Sequence, residues 1–178
     1  VRALLAESVQ RHIVRVGEIE TEVRDGQIRG SRLIRSALAE VAAGVRSFAE
    51  GQGWRLVQRS PRLRKMMWNP SVYDASGRFI FRPDGWLDDV ALAWQIDSKQ
   101  FHTSPEDWAR TVAQHTEATA IGIVVVHHLP QVVERQPAQT LAQLEAAADV
   151  ARARPRPNVY AIPAGGETAS SRRPVPSE

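Results

Sequence analysis

The sequence predicts an α/β or α+β fold in which helices cover the faces of a sheet. Three observations support it: apolar runs of strand length bounded by turn residues, one helix with a clear start signal, and a later run dense in Ile and Val. In chain order these features give helix, three strands, helix, strand and helix. That order is typical of a sheet covered by helices.

The first 43 residues are predicted to be a helical lead-in. Residues 2–15 and Ser31–Ala43 carry apolar side chains on one helical stripe, and a charged segment punctuated by glycines separates them. None of these residues forms a pattern that indicates chemistry. We expect residues 1–43 to be a helical lead-in, such as a remnant of an upstream domain.

Residues 44–153 are predicted to form the sheet domain. A helix over Val45–Arg59 contains two glycines, each of which costs about 1 kcal/mol relative to Ala in a helix, and Pro61 ends it. Three strands follow, with turns between them. The predicted strands are Met66–Tyr73, Arg78–Asp84 and Val90–Ser98, and the predicted turns are Asp74–Gly77 and Gly85–Asp89.

The second half of this domain has stronger local signals. Ser104 and Asp107 form a capping box around Pro105, which predicts a helix that runs to about Ala118. The apolar run Ile121–Leu129 predicts a strand covered on both faces. Pro130–Ala153 is predicted to be helical with an interruption near Pro137. From residue 154 to 178, Pro, Gly, Ser and Arg predominate, and we expect a disordered tail.

Composition limits the class of protein. At 178 residues the chain is expected to be one domain, with no apolar stretch long enough to cross a membrane. There is no cysteine, which excludes disulfides and thiolate zinc sites, and no signal peptide is visible. We therefore expect a cytoplasmic protein.

The charge permits a polyanionic partner without requiring one, since the net charge is only +3. One local stretch is basic, and it can be either a solvated surface or a phosphate contact. Its members are Arg55, Arg59, Arg62, Arg64 and Lys65.

Asp84, Asp97 and Lys99 are the most informative residues. Pro83-Asp84 ends one apolar run, and Asp97-x-Lys99 ends the next. Because side chains alternate along a strand, Asp97 and Lys99 share a face, and a hairpin would bring Asp84 to it. Two carboxylates and an ammonium group suit a divalent metal and an activated water. Lysine is scarce here, with two lysines against 21 arginines, which argues against an incidental Lys99.

These residues carry a resemblance to a known family. Pro83-Asp84-Gly85-Trp86, Gln95 to His102 and Asp107 to Thr111, preceded by Gly44 to Glu50 and Asn69-Pro70, resemble the PD-(D/E)xK nuclease superfamily. More narrowly, residues 44–129 resemble the very-short-patch-repair-like endonuclease domain, also called domain of unknown function 559. That domain often forms the C-terminal half of AbiEi-like antitoxin proteins.

The resemblance implies a restriction-endonuclease-like core and a site for Mg²⁺ or Mn²⁺. Asp84, Asp97 and Glu50 would hold the metal together with Gln95, and Lys99 would orient or deprotonate the attacking water. His102 would assist proton transfer or contact phosphate. The implied substrate is nucleic acid, with DNA favoured over RNA. Phosphodiester cleavage needs positioning and charge neutralisation, which this set would supply.

Two positions depart from the family pattern and leave two functions open. Gln95 stands where the family more often has Glu, and Gln114 stands where arginine is common. The first function is a metal-dependent endonuclease. The second is a non-catalytic regulatory or nucleic-acid-binding module of an antitoxin-type transcription factor, whose winged-helix domain would lie upstream of Val1. His127 and His128 are adjacent on a predicted strand and are expected to face opposite sides, which disfavours a shared metal site. The sequence does not indicate an oligomeric state.

Overall fold

The computed structural model describes residues 4–5, 8–9, 13–26, 32–97 and 105–164, without the side chains of Pro105 and Asp107. The helices are α1 Val16–Asp25, α2 Arg32–Ala42, α3 Phe48–Val57, α4 Pro105–Ala120, α5 Pro130–Arg135 and α6 Pro137–Arg152. The strands are β1 Met67–Trp68, β2 Ser71–Asp74, β3 Phe79–Phe81, β4 Gly85–Leu87, β5 Leu92–Ile96, β6 Val124–His128 and β7 Val159–Ile162, with a 3₁₀ turn at Asp88–Val90.

The strands form two sheets, so the mixed α/β class that the sequence predicts is confirmed. The central sheet has the order β1-β4-β5-β6, antiparallel except for the parallel pair β5–β6. The small sheet has the order β3-β2-β7 and is antiparallel throughout. Parallel strands require a long crossover, and α4 supplies it between β5 and β6.

The central sheet separates two hydrophobic cores. Leu92, Trp94 and Ile96 of β5 belong to the core that α3 and α6 cover. Ala93, which points the other way, belongs to the core that α4 and the small sheet cover. Gln95 and Asp97 follow the same alternation as Ala93 and therefore face α4.

The predicted first strand, Met66–Tyr73, is divided between the two sheets. Asn69 has a positive φ of 51°, and Pro70 follows it with no N–H to donate. The chain therefore turns between β1, which pairs with β4, and β2, which pairs with β3 and β7.

The predicted hairpin between Arg78–Asp84 and Val90–Ser98 is wrong. β3 pairs with β2, and the antiparallel partner of β5 is β4, which lies inside the predicted turn Gly85–Asp89. Glycine has a low propensity for strands, but Gly85 lets the backbone of β4 approach the Met66 side chain closely. A Cβ on Gly85 would lie 2.6 Å from Met66 Sδ.

The predicted tail begins too early. Residues 154–164 are described, and Val159–Ile162 form β7, which extends the small sheet beside β2. Val159 is buried in the core beneath that sheet. A four-residue strand among prolines gives too weak a local signal, since its stability comes from its partner strand.

Two further features differ from the prediction, α1 and the cover of β6, and one helix boundary agrees with it. The charged segment that begins at Glu18 forms α1, where the Glu18 carboxylate accepts a hydrogen bond from the Arg15 amide at 2.9 Å. The break near Pro137 is confirmed as the boundary between α5 and α6. β6 is an edge strand that is only partly buried, so the expected cover on both faces is incomplete. Over the described ranges, no helix is long and apolar enough to cross a bilayer.

Candidate active site at neighbouring strand ends

Asp84 lies directly before β4, where the chain leaves the small sheet and enters the central one. Its carboxylate Oδ2 accepts a hydrogen bond from the backbone amide of Ile96 at 2.6 Å. Its own carbonyl accepts from the Asn69 amide at 3.0 Å. This hydrogen bond holds the Asp84 carboxylate beside Ile96, the residue that precedes Asp97.

Asp97 immediately follows β5, and its amide donates to the His128 carbonyl at 3.0 Å, which continues the pairing with β6. The Asp97 side chain is 19% exposed, and its Oδ2 lies 2.8 Å from His127 Nδ1. Because an ionised carboxylate only accepts hydrogen bonds, His127 Nδ1 carries the proton and donates it. In this tautomer the other ring nitrogen of His127, Nε2, is a hydrogen-bond acceptor.

Two histidines join this cluster, and neither was predicted as a site residue. His127 lies opposite Gln95 in the β5–β6 register. His115 of α4 reaches the same face, with its Nε2 3.1 Å from Gln95 Nε2. The two imidazole rings are 4.8 Å apart between centroids.

The environment of His115 favours its neutral form. Burial lowers the pKa of His115 below its ordinary value, and the neighbouring His127 lowers it further, while Asp97 opposes the shift. A neutral His115 Nε2 can accept a hydrogen bond from the Gln95 amide group. Gln95 is therefore held by His115.

A groove opens beside this cluster, between α4 and the edge strand β6. It has a volume of about 760 Å³ and is lined chiefly by α4 and β6, with Asp97 at its rim. Trp108 is 39% exposed and contributes an aromatic wall. Asp97 and both histidines of the cluster line the groove, so a bound molecule there would reach them.

Glu50 lies on α3 and is linked to Asp84 through Asn69, whose amide donates to the Asp84 carbonyl and whose side chain donates to Glu50. It is 7% exposed, and its Oε2 accepts from Asn69 Nδ2 at 2.5 Å and from the Arg46 amide at 2.7 Å. The Ser47 hydroxyl caps α3 by accepting from the Glu50 amide at 3.1 Å. In this arrangement the Glu50 carboxylate anchors the start of α3 to the loop after β1.

The described donors satisfy the requirements of a metal only in part. Among the residues that the structure describes, no three His, Cys, Asp or Glu side chains gather in a way that could hold a metal ion. Asp84 and Asp97 are hard oxygen donors on adjacent strands, and Mg²⁺ is commonly bound through one or two carboxylates and several waters. This pair fits Mg²⁺ or Mn²⁺ chemically, whereas the Glu50 carboxylate is buried and accepts two hydrogen bonds through Oε2. Lys99 and His102 lie outside the described residues.

His128 faces the opposite side of β6, as strand alternation requires. Its Nδ1 accepts from Trp94 Nε1 at 3.0 Å, and its Nε2 lies 2.9 Å from Gln143 Oε1. His128 is thus a hydrogen-bonded core residue, and the expectation that the two adjacent histidines do not share a site is confirmed.

The basic stretch is partly neutralised by acidic partners. Arg55 Nη1 lies 2.6 Å from Glu40 Oε1, and Arg62 pairs with Asp149. These pairs leave Arg59, Arg64 and Lys65 as the members of the stretch that remain to be considered for phosphate contact.

No protein-family model, curated protein or solved structure matches this chain.

Proposed function

We propose that the chain is a metal-dependent endonuclease domain with a restriction-endonuclease-like core, which hydrolyses phosphodiester bonds in nucleic acid. The observation that carries the proposal is the approach of Asp84 and Asp97. The Asp84 carboxylate binds the amide of Ile96, and Asp97 follows at the mouth of a groove. Two carboxylates at such a position suit chemistry on a charged phosphate.

The order of elements supports the same core. Helix α3 precedes antiparallel strands β4 and β5, α4 crosses over, and β6 then lies parallel to β5. α3 and α4 cover opposite faces of this sheet. The resemblance found in the sequence implies this order, with the two aspartates on adjacent strands.

In this proposal Asp84 and Asp97 would hold Mg²⁺ or Mn²⁺. The bound ion would neutralise the charge on the phosphate and lower the pKa of a coordinated water. Asp97 would offer Oδ1 to the ion while its Oδ2 holds His127. His127, oriented through Nδ1, would present Nε2 to a phosphate oxygen or to the leaving oxygen in the groove. Lys99 would have the role that the resemblance implies, which is to orient or deprotonate the attacking water.

A second candidate is a non-catalytic module that binds nucleic acid and regulates transcription. Two observations favour it: Gln95 is uncharged and held by His115, and Glu50 is occupied by Asn69 and the Arg46 amide. Both residues would be metal ligands in a complete site of this family. With their contribution missing, the site would bind a metal less strongly.

Cleavage of supercoiled plasmid and of single-stranded DNA with Mg²⁺ or Mn²⁺ separates the two candidates. We expect wild-type protein to nick DNA, and Asp97→Asn and EDTA each to reduce the rate at least about 100-fold. Asp25→Asn, the same change at an exposed residue of α1, should leave the rate unchanged. If folded wild-type protein cleaves neither substrate but binds DNA, the regulatory module is the better assignment.

A further inference from the structure

Three aromatic side chains cross the small sheet in a row. Tyr73 of β2 lies opposite Phe79 of β3 and opposite Tyr160 of β7 in the strand register. Its ring is stacked on that of Tyr160 at 5.5 Å and 17°, and meets that of Phe79 edge to face at 5.7 Å and 72°. Directly opposed residues share a face of the sheet, so the three rings form one continuous surface, which we call the aromatic strip.

A β-bulge turns one end of the strip outward. Between the pairs Val72–Phe81 and Tyr73–Phe79, β3 contains one extra residue, Ile80. As a result Ile80 and Phe81 are both buried while Phe79 is 45% exposed. Bulges commonly redirect a side chain in this way.

The strip is unusual because large aromatic rings remain in solvent. Tyr160 is also 45% exposed, whereas Val72 and Val159 on the opposite face of the same strands are buried. Cross-strand ring contacts do stabilise a sheet. A contiguous exposed patch of such rings is in addition a common mark of an interaction surface.

A cation lies on the same face. Ser71 is two residues before Tyr73 on β2 and therefore shares its face, and Arg82 Nη2 donates to the Ser71 hydroxyl at 3.0 Å. Arg82 is exposed and is two residues before Asp84. A planar guanidinium beside exposed rings is suited to phosphate next to stacked bases.

We propose that the aromatic strip is a binding platform for unpaired nucleic acid. Bases stack on the exposed rings of Phe79 and Tyr160, which flank Tyr73, and Arg82 contacts a phosphate of the same strand. Stacking on aromatic side chains combined with an arginine is how sheets and open grooves bind single strands with little sequence preference. Charge complementarity favours this ligand, because the exposed Arg82 guanidinium beside the rings is suited to a phosphate.

This inference deepens the proposed function, since it assigns the strandedness of the nucleic acid that the domain takes. Arg82 is two residues from Asp84, which begins the candidate active site, so the strip and that site are joined by one short segment of chain. Binding on the strip needs neither metal nor hydrolysis. The two proposals can therefore fail independently.

Fluorescence anisotropy with labelled oligo(dT) and oligo(U), in EDTA, tests the platform. Phe79→Leu and Tyr160→Leu should each weaken binding at least about fivefold, because each removes one stacking surface. Arg82→Gln should weaken binding and reduce the slope of log K against log salt by about 0.7, the value for one phosphate contact on a single strand. A duplex of the same length should bind more weakly than the single strand.

Two matched controls locate the effect. Phe48→Leu changes an exposed ring on α3, outside the strip, and Arg154→Gln changes an exposed arginine that follows α6. Both should bind as wild type, and all variants should keep the wild-type melting temperature within a few degrees. Photo-crosslinking of an iodouracil oligonucleotide should attach it to peptides that contain Phe79, Tyr73 or Tyr160.

Equal affinity of wild type and both strip variants would overturn the platform, as would crosslinks found only at Trp108. Dissociation of a wild-type dimer by Tyr160→Leu, with oligonucleotide binding unchanged, would instead make the strip a contact between two copies. Loss of binding in the strip variants, together with an absence of cleavage by wild type, would support the platform and reject the nuclease.

Discussion

Glu50 illustrates how one residue type can indicate two different roles. A glutamate on the helix before the strands fits the metal set that the resemblance implies. The sequence also contains Ser47 three residues earlier, the spacing of a capping box. Half of that second signal is observed, since Ser47 caps the helix, while the Glu50 carboxylate binds Asn69 and the Arg46 amide in place of the Ser47 amide.

We predict that Glu50→Ala destabilises the fold and leaves metal affinity nearly unchanged. The substitution removes two hydrogen bonds to a buried carboxylate and leaves Asn69 with one lost partner. We expect the free energy of unfolding in urea to fall by about 2–4 kcal/mol. Glu134→Ala, at an exposed glutamate of α5, should change it by less than about 0.5 kcal/mol. A variant that keeps its stability but loses Mn²⁺ binding would restore Glu50 to the metal set.

His115 and His127 show that contacts between distant elements cannot be inferred from single residues. Alternation along β5 predicts that Asp97 faces away from Trp94, and alternation along β6 separates His127 from His128. The contact between Asp97 and His127 depends on the parallel register of β5 and β6, and His115 depends on the docking of α4. Such register is a tertiary property, so no local pattern could assign it. Lys99 and His102 stay predictions.

At the scale of elements, the glycines of α3 change their meaning once the packing is known. By propensity Gly51 and Gly53 weaken a helix prediction. In the structure α3 lies so close to the central sheet that a Cβ on Gly53 would be 2.8 Å from Ile96 Cδ1 and 2.9 Å from Trp94 Cη2. Close docking of α3 therefore takes precedence over helix propensity.

We predict that Gly53→Ala destabilises the protein although alanine is the better helix former. The propensity gain of about 1 kcal/mol is outweighed by overpacking against three core side chains, Ile96, Trp68 and Trp94, which costs about 1–3 kcal/mol and raises the unfolding rate. Gly17→Ala is the matched control, because a Cβ there meets nothing within 4 Å and should be neutral or stabilising. Chemical denaturation of both variants provides the comparison. Stabilisation by Gly53→Ala would mean that α3 is not docked this closely.

Helix and strand prediction succeeded where the signal was local, and failed where an element forms only because a neighbouring strand pairs with it. The α5–α6 boundary at Pro137 follows from the missing N–H of proline and the clash of its ring with the preceding turn. β4 and β7 contain three and four residues, and each forms because a neighbouring strand accepts its hydrogen bonds. A propensity scale contains no information about that neighbour.

At the scale of the whole molecule, the segment from Arg82 to Gly85 links two surfaces. It leaves the small sheet after β3, carries Arg82 beside the aromatic strip, and places Asp84 at the start of β4. The sequence predicted one sheet and one site. The division into two sheets adds a second candidate surface, which depends on β7 and therefore on residues that were assigned to a tail.

Metal binding to the folded protein can be tested through its thermal stability, without a cleavage assay. An ion that binds only the folded state stabilises it, by about 2.7 kcal/mol at 100 times the dissociation constant, which corresponds to about 5–10 °C for a chain of this size. We predict that Mn²⁺ raises the thermal midpoint of wild-type protein relative to EDTA, and that Asp84→Asn and Asp97→Asn each remove most of this shift. Asp25→Asn should retain it. Because asparagine keeps the shape of aspartate, a loss confined to the two site variants reflects the missing charge. An equal shift in all four proteins would mean that the ion binds elsewhere, and the candidate active site would lose its proposed cofactor.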